Sequence, residues 1–318
     1  MKIFFVASHP QLAIGYSKVS SFLGNHLATY DNVDFVHYAL ETPPNNIANR
    51  PIHDDITLIP VEGMGFDKIG ETIVEEKPDI VFFYQDAVTT YKYIETLKDV
   101  EKTFKAIVYL DLVYEFEKYT FIETINNYCD HIICFSECWK KNLIDMKIPE
   151  SKLHVLYHPL DTDKIVDVEQ SKAREVWNLN DDDFIILNLN RNSYRKCWDL
   201  TFKAFVNFVK RHNMDPRLKL FVGALKIYGA GWDFLELIQT ICCECGVDYN
   251  TFIQHHILTA PDAGRLTDER VNLLYNACDV GINTTCGEGF GLPILCIRGK
   301  FSSKFHKPGL LGTSVKRS

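Results

Sequence analysis

Short runs of apolar, β-branched and aromatic residues alternate with longer amphipathic stretches along most of the chain. This alternation is typical of β-α-β units, in which a helix follows each strand and the strands lie parallel. It therefore predicts an α/β fold with parallel sheets. The strands are predicted near residues 2–7, 33–38, 79–84, 106–110, 131–135 and 153–157, and then near 184–188, 218–222, 252–258 and 280–283.

A polar and charged segment separates the two strand-rich halves of the chain. Residues 161–183 carry no strong strand pattern, so the linker is predicted around residues 160–170. A length of 318 residues also exceeds what a single core usually holds. We therefore predict two Rossmann-type domains, over residues 1–165 and 166–296, that face a central cleft.

Composition and charge exclude several classes of protein. With 46% hydrophobic and 24% charged residues, the chain is neither disordered nor fibrous. A net charge of −8 argues against a nucleic-acid partner bound through bulk electrostatics. The first apolar run is too short for a secretory signal, and no stretch approaches about eighteen apolar residues. We predict a cytoplasmic protein without an integral membrane segment, whose ten cysteines are reduced thiols.

The most informative segment is CDVGINTTCGEGFGLPIL, at residues 278–295. A predicted strand ends there in a loop with Gly287, Gly289 and Gly291, and a proline follows where a helix would begin. Glycines let backbone amides approach a ligand closely, and a helix N-terminus attracts phosphate. The carboxylate of Glu288 is able to accept hydrogen bonds from sugar hydroxyls. The glycines alone leave open a tight turn without a ligand.

A second loop carries two cations after another predicted strand. The segment NRNSYRKCWD, at residues 190–199, places Arg191 and Lys196 beyond the strand predicted near residues 184–188. Two cations on one loop can neutralise a diphosphate leaving group. Taken alone, such a pair more often lies on a solvated surface.

Together these segments resemble the donor-binding motifs of family-4 retaining glycosyltransferases, which have the GT-B fold. The hexapeptide EGFGLP at residues 288–293 is similar to the family's donor-binding motif, and Arg191 and Lys196 match its arginine, four residues, lysine arrangement. Weaker matches extend over residues 1–295. The resemblance implies a GT-B-like fold with an acceptor domain over residues 1–165 and a nucleotide-sugar donor domain over residues 166–296.

The resemblance also implies roles for the matching residues. Arg191 and Lys196 would stabilise the departing diphosphate, and Glu288 would position the donor hydroxyls. The family's first-domain histidine is replaced by Asp111, which would orient the acceptor or stabilise positive charge at the anomeric carbon, unless it is merely a strand end. Further implied donor contacts are Gly15, Tyr16, Leu258, Gly289, Phe290, Gly291 and Leu292.

Gly15 and Tyr16 have a second interpretation, because this segment is also compatible with a simple helix start. In that case Ser17 is a possible N-cap.

The implied activity is transfer of a hexose from a nucleotide diphosphate sugar to a hydroxyl of a glycan or other acceptor. By the family's pattern neither a metal nor a cofactor takes part. The resemblance leaves the donor base open between GDP and UDP. Mannose or a related hexose, as in GDP-mannose, is preferred from resemblance alone.

The end of the sequence departs from the family pattern. The family has a second glutamate eight positions after Glu288, where this chain has Cys296. Residues 297–318 contain six Lys or Arg side chains and no acid, which makes them a basic tail of atypical sequence. Together these facts predict a frameshift or an early stop that leaves the donor domain incomplete, although a divergent tail is also possible. The alternative function is then a truncated, inactive relative with weak or no nucleotide-sugar binding.

Other functions fit the residues less well. A nicotinamide-dependent oxidoreductase needs the fingerprint G-x-G-x-x-G, and here Leu292 stands at its last position. Cys242, Cys243 and Cys245 lie near two histidines but lack the spacing of zinc sites. Ser136 has no nucleophile-elbow motif around it, so we interpret it as a helix cap.

Overall fold

The computed structural model has the α/β fold with parallel sheets that the sequence predicts. Its described residues form two compact units. The first contains the residues up to 159 together with 266–268 and 285–290, and the second contains those between 165 and 260 together with 269–284 and 291. The described residues are 1–43, 48–114, 117–159, 165–223, 231–260 and 266–291.

The first unit is built on a seven-stranded parallel sheet. Its strands are β1 (Lys2–Ser8), β2 (Asp34–Leu40), β3 (Ile56–Pro60), β4 (Ile80–Asp86), β5 (Lys105–Asp111), β6 (His131–Cys134) and β7 (Leu153–Val155). The order β3-β2-β1-β4-β5-β6-β7 changes direction beside β1. Ligands of open α/β sheets bind beyond the carboxyl ends of the strands at such a point. The loops after β1, β4 and β5 therefore lie where a ligand is expected.

Apolar strands and amphipathic helices form the core of the first unit. Phe4 and Phe5 are successive residues of β1 and are both fully buried, so the sheet is covered on both faces. Gly24 allows a helix to approach β2, because a Cβ there would lie 3.3 Å from the ring of Phe35. The helices are α1 (Gly15–Leu27), α2 (Ile69–Glu76), α3 (Ala87–Leu97), α4 (Tyr119–Tyr128) and α5 (Glu137–Asp145).

The second unit is built on a smaller parallel sheet of order β10-β9-β8-β11. Its strands are β8 (Phe184–Asn188), β9 (Leu218–Val222), β10 (Ile257–Thr259) and β11 (Val280–Gly281). The remaining helices are α6 (Gln170–Val176), α7 (Trp198–Arg211), α8 (Phe234–Cys245), α9 (Tyr249–His256) and α10 (Asp268–Ala277). Trp198, Phe202, Phe205 and Val209 recur on one face of α7 and are buried in the core of this unit.

One strand prediction is wrong, and one strand is missed. The segment predicted as a strand near residues 252–258 forms α9 up to His256, and only its last residues enter β10. Asp248 caps α9 by accepting a hydrogen bond of 2.8 Å from the Thr251 amide, and Phe252 and His256 bury the same helix face. The strand Ile56–Pro60, by contrast, is not predicted at all. It follows a proline-rich loop and has no fully buried residue to mark it.

Two helix starts test the predicted caps. The Ser136 hydroxyl accepts a hydrogen bond of 3.2 Å from the Trp139 amide at the start of α5, so its interpretation as a cap is confirmed. Ser17 is not a cap, because α1 begins at Gly15 and Ser17 lies inside its first turn. Among the described helices, none is long and apolar enough to cross a membrane.

Candidate functional site

Three tyrosine rings pack in a row towards the carboxyl edge of the first sheet. Tyr16 follows the exposed Gly15 at the start of α1, and its ring centroid lies 5.1 Å from that of Tyr84 on β4. Tyr84 is in turn 5.1 Å from Tyr109 on β5, and the two rings are stacked at 29°. Both strand tyrosines are at most 2% exposed. The loop after β1 is thus connected to the central strands through aromatic packing.

Carboxylates end the two strands beside this row. Asp86 and Asp111 are the last residues of β4 and β5 and are paired in register. Asp86 caps α3 by accepting a 2.7 Å hydrogen bond from the Thr89 amide. Asp111 accepts a hydrogen bond from the Tyr16 hydroxyl. Burial raises the pKa of Tyr16 well above its usual value, and the charge and hydrogen bond of Asp111 raise it further.

A third carboxyl group, that of Glu117, lies near Asp86. Burial, followed by the charge of Asp86, raises the pKa of Glu117. The edge of the first unit therefore bears several negative charges beyond β4 and β5.

The glycine-rich loop contacts Asp111 at close range. A Cβ added to Gly289 would lie 2.4 Å from Asp111 Oδ1 and 3.1 Å from the backbone oxygen of Leu112. Only glycine fits at this position without displacement. A Cβ at Gly287 would meet the backbone oxygen of Val113 at 3.2 Å, which is tight but less severe. Packing thus explains the glycines at positions 287 and 289, because the loop passes close to the end of β5.

Trp139 and His158 hold the same loop. Trp139 Nε1 donates a 3.1 Å hydrogen bond to the backbone oxygen of Gly289. The ring of Phe290 lies 4.8 Å from that of His158 and 6.2 Å from that of Phe135. Glu288 is half-buried in this loop. Neither Trp139 nor His158 is predicted as a site residue from the sequence, because their contacts join distant segments and that of Trp139 spans 150 residues.

His158 is kept neutral by its surroundings. Burial lowers its pKa to about 4. The Tyr109 hydroxyl lies 2.8 Å from the backbone oxygen of Leu156 and 2.7 Å from His158 Nδ1. Since the hydroxyl has one proton and donates it to Leu156, we assign the imidazole proton to Nδ1.

A chain of amides and hydroxyls supports the loop after β8. Asn188 Nδ2 donates to the Thr201 hydroxyl at 2.9 Å, so the Thr201 proton points to the Thr284 hydroxyl at 2.7 Å. The Thr284 proton is then shared by the backbone oxygens of Lys196 and Cys197, each at 3.0 Å. This chain of hydrogen bonds connects Asn188, at the end of β8, to Thr284, after β11. It also holds the backbone at Lys196 and Cys197.

The two predicted cations differ in exposure. Lys196 is 7% exposed, whereas Arg191 is exposed at the surface of the loop. The backbone oxygen of Arg191 accepts a 3.0 Å hydrogen bond from Trp198 Nε1, which anchors the loop to the first residue of α7. Lysine is seldom so buried. This loop therefore exposes the Arg191 side chain to solvent and buries the Lys196 side chain.

The predicted residues fall into two groups in the described chain. Gly15, Tyr16, Asp111, Glu288, Gly289 and Phe290 belong to the first unit, and Arg191, Lys196, Leu258 and Gly291 belong to the second. Leu258 is half-buried on β10, and Gly291 has a positive φ of 79°, which favours glycine. The predictions for Leu292, Cys296 and residues 297–318 concern positions outside the described residues.

The fold is shared with solved glycosyltransferase structures of the GT-B class. Anabaena HepE in complex with UDP and glucose matches with a TM-score of 0.63 and 14% identity, covering 94% of this chain and 78% of HepE. Sucrose-phosphate synthase from Thermosynechococcus elongatus matches with a TM-score of 0.66 and 15% identity, over 93% and 78% of the two chains. A glycosyltransferase from Rickettsia africae matches with a TM-score of 0.62 and 16% identity, over 94% and 77%.

These similarities establish the fold, which is the two-sheet GT-B fold that the sequence predicts. No family model matches the chain, and no curated protein matches it.

Proposed function

We propose that this protein is a retaining glycosyltransferase of family 4, which transfers a hexose from a UDP-linked donor to a hydroxyl of an acceptor. The observation that carries the proposal is the loop after β8, where the chain of hydrogen bonds through Thr201 and Thr284 holds the backbone of the buried Lys196 and Trp198 holds the backbone of Arg191. A diphosphate leaving group needs positive charge at a fixed position, and a rigid loop supplies it without reorganisation.

The proposed donor is a UDP-hexose. HepE was solved with UDP and glucose and also with UDP-glucose. The GDP-linked donor and the mannose preference suggested by the sequence have no support among the ligands named for these structures. UDP-glucose is therefore the donor to test first.

In the proposed reaction, the bond between the anomeric carbon and the diphosphate oxygen breaks as the acceptor oxygen bonds to the same face. Arg191 and Lys196 stabilise the negative charge that develops on UDP. An oxygen of the departing diphosphate accepts the acceptor proton. Asp111 orients the acceptor or stabilises the positive charge at the anomeric carbon, and Glu288 positions the donor hydroxyls.

Thermal unfolding with nucleotides tests the donor site directly. UDP at about 100 times its dissociation constant stabilises a protein by roughly 2.7 kcal/mol, which raises the midpoint by several degrees. We expect UDP and UDP-glucose to raise the midpoint and GDP to leave it unchanged. A rise with GDP alone would contradict the proposed donor, and no rise with any nucleotide would contradict the proposed function.

A matched pair of lysine variants tests whether Lys196, in the loop after β8, contributes to UDP binding. Lys196→Gln removes the buried cation, and we expect roughly 10- to 100-fold weaker UDP binding because hydrogen bonds to charged groups contribute about 1.5–3 kcal/mol. Lys203→Gln is the control, since Lys203 lies in the same unit but is exposed and pairs with Glu244 at 3.4 Å. Equal affinities for the two variants would exclude Lys196 as a donor contact.

The stereochemical outcome tests the retaining mechanism. With water as acceptor, a retaining enzyme releases glucose from UDP-α-glucose first as the α-anomer, which is measurable by NMR before the anomers equilibrate. Initial release of the β-anomer would show inversion.

A further inference from the structure

The carboxylate of Asp111 is approached from two sides by described residues. The Tyr16 hydroxyl donates a hydrogen bond to it. The backbone of Gly289 lies so close to Asp111 Oδ1 that a Cβ there would be 2.4 Å away. The orientation of this carboxylate is thus determined by a hydroxyl on α1 and by the glycine-rich loop.

The Tyr16 hydroxyl is itself held in position by buried groups. Its ring packs on Tyr84 with a centroid distance of 5.1 Å, and Tyr84 stacks on Tyr109 at the same distance. Tyr109 is anchored by its 2.8 Å hydrogen bond to the backbone oxygen of Leu156. Interiors packed in this way resist small displacements. The packing against Tyr84 and Tyr109 therefore fixes the position of the Tyr16 ring on α1 relative to β4 and β5.

We propose that Tyr16 is a positioning residue for the transfer reaction, because its hydroxyl keeps Asp111 ionised and in a single orientation. This inference rests on the proposed function, in which Asp111 faces the acceptor or the anomeric carbon. A donor bonded to a carboxylate stabilises the charged form over the protonated form. A carboxylate that must interact with positive charge gains from both the ionisation and the fixed direction.

The other ionisable groups around this pair do not replace the tyrosine. Asp86 on β4 contributes negative charge, while burial raises the pKa values of the Tyr84 and Tyr109 hydroxyls above the usual tyrosine value. All three remain in the variants proposed below. A change caused by loss of the Tyr16 hydroxyl is therefore attributable to that hydroxyl.

The test uses the full chain with UDP-glucose as donor and water as acceptor, and follows UDP release against pH. Tyr16→Phe removes only the hydroxyl and keeps the ring on Tyr84. We expect kcat to fall roughly tenfold, equivalent to about 1.4 kcal/mol, and the acid limb of the pH profile to move to higher pH. Tyr119→Phe is the control, because Tyr119 lies in the same unit and is 54% exposed.

A double-mutant cycle separates positioning from a general structural effect. In an Asp111→Asn background, Tyr16→Phe should have no further effect on kcat, because the carboxylate it serves is gone. Additive losses, or a Tyr16→Phe variant with the wild-type rate and pH profile, would overturn the role of Tyr16 while UDP stabilisation still supports the proposed function. A wild-type chain that neither binds UDP nor releases it overturns both.

Discussion

The two units carry their candidate site residues on sheet edges that are built in different ways. In the first, a row of packed tyrosine rings and a second carboxylate, Asp86, lie beside Asp111. In the second, a chain of amides and hydroxyls holds a loop with two cations. A row of packed rings resists changes in volume, whereas a hydrogen-bonded chain loses several partners when one member is removed. The first edge should therefore be sensitive to volume, and the second to polarity.

Acid should destabilise the first unit most strongly. Burial lowers the pKa of His37 to about 3 and that of His158 to about 4, below the usual value of about 6.5. Because the folded pKa is depressed, the unfolded chain binds more protons as pH falls below 6.5, and stability is lost. Between pH 7 and pH 5 we expect a loss of about 2 kcal/mol for each histidine.

Urea unfolding at several pH values measures this slope. Replacing His158 by Gln should reduce the pH dependence between pH 7 and pH 5 by about 2 kcal/mol, whatever it does to stability at pH 7. His26→Gln is the control for the substitution itself, because His26 is exposed. A wild-type stability that does not change over this range would contradict the assignment of neutral buried histidines.

Added volume in the glycine-rich loop should have the next largest effect. Gly289→Ala forces Asp111 or the loop to move, since the new Cβ would lie 2.4 Å from Asp111 Oδ1. A displacement of about 1 Å in a site can cost roughly 100-fold in rate. We expect a loss of that size in UDP release from UDP-glucose.

Gly287→Ala is the matched control for this prediction. It adds the same methyl group two residues away, where the nearest atom is the backbone oxygen of Val113 at 3.2 Å. The loss of rate should be clearly smaller. If both variants retain full activity, the close approach of the loop to Asp111 has no part in the reaction.

Loss of one hydroxyl should disrupt the second edge. Thr284→Val removes one acceptor of the Thr201 proton and one hydrogen bond to the Lys196 backbone oxygen. Unsatisfied buried groups cost about 1–3 kcal/mol each, so we expect a destabilisation of about 2 kcal/mol and weaker UDP binding. Urea unfolding and UDP titration check the two effects.

Thr240→Val provides the control in the same unit. The Thr240 hydroxyl donates a 2.9 Å hydrogen bond to the backbone oxygen of Glu236 within an exposed part of α8. Its loss should change stability by less than about 0.5 kcal/mol. Equal effects of the two substitutions would show that the chain of hydrogen bonds contributes nothing beyond a single surface contact.

Local patterns predict the strands and the loops but not the contacts between distant segments. The strands Phe184–Asn188 and Leu218–Val222 are recovered to the residue because compact apolar runs mark them. The helix Tyr249–His256 is missed because its apolar residues are also compatible with a strand. Asp111 is found from a family position, yet its hydrogen bond from Tyr16 follows only from the packing of α1 on the sheet. Local sequence patterns do not predict a contact between segments so far apart in the chain.

The smallest expected effects come from two helix caps, one in each unit. Asp248 accepts a 2.8 Å hydrogen bond from Thr251, whereas Ser136 accepts one of 3.2 Å from Trp139. An ionised cap forms a shorter, charge-assisted bond and also interacts favourably with the helix dipole. We expect Ser136→Ala to cost about 0.5–1 kcal/mol and Asp248→Ala about 1–1.5 kcal/mol.

The pH dependence distinguishes the two caps. Capping lowers the pKa of Asp248, so its contribution is present above the usual aspartate value and is lost as pH falls through the folded pKa. The contribution of Ser136 does not titrate. The difference between the two variants in urea unfolding should therefore shrink from pH 7 to pH 3. A difference that is constant with pH would show that the charge of Asp248 adds nothing to its hydrogen bond.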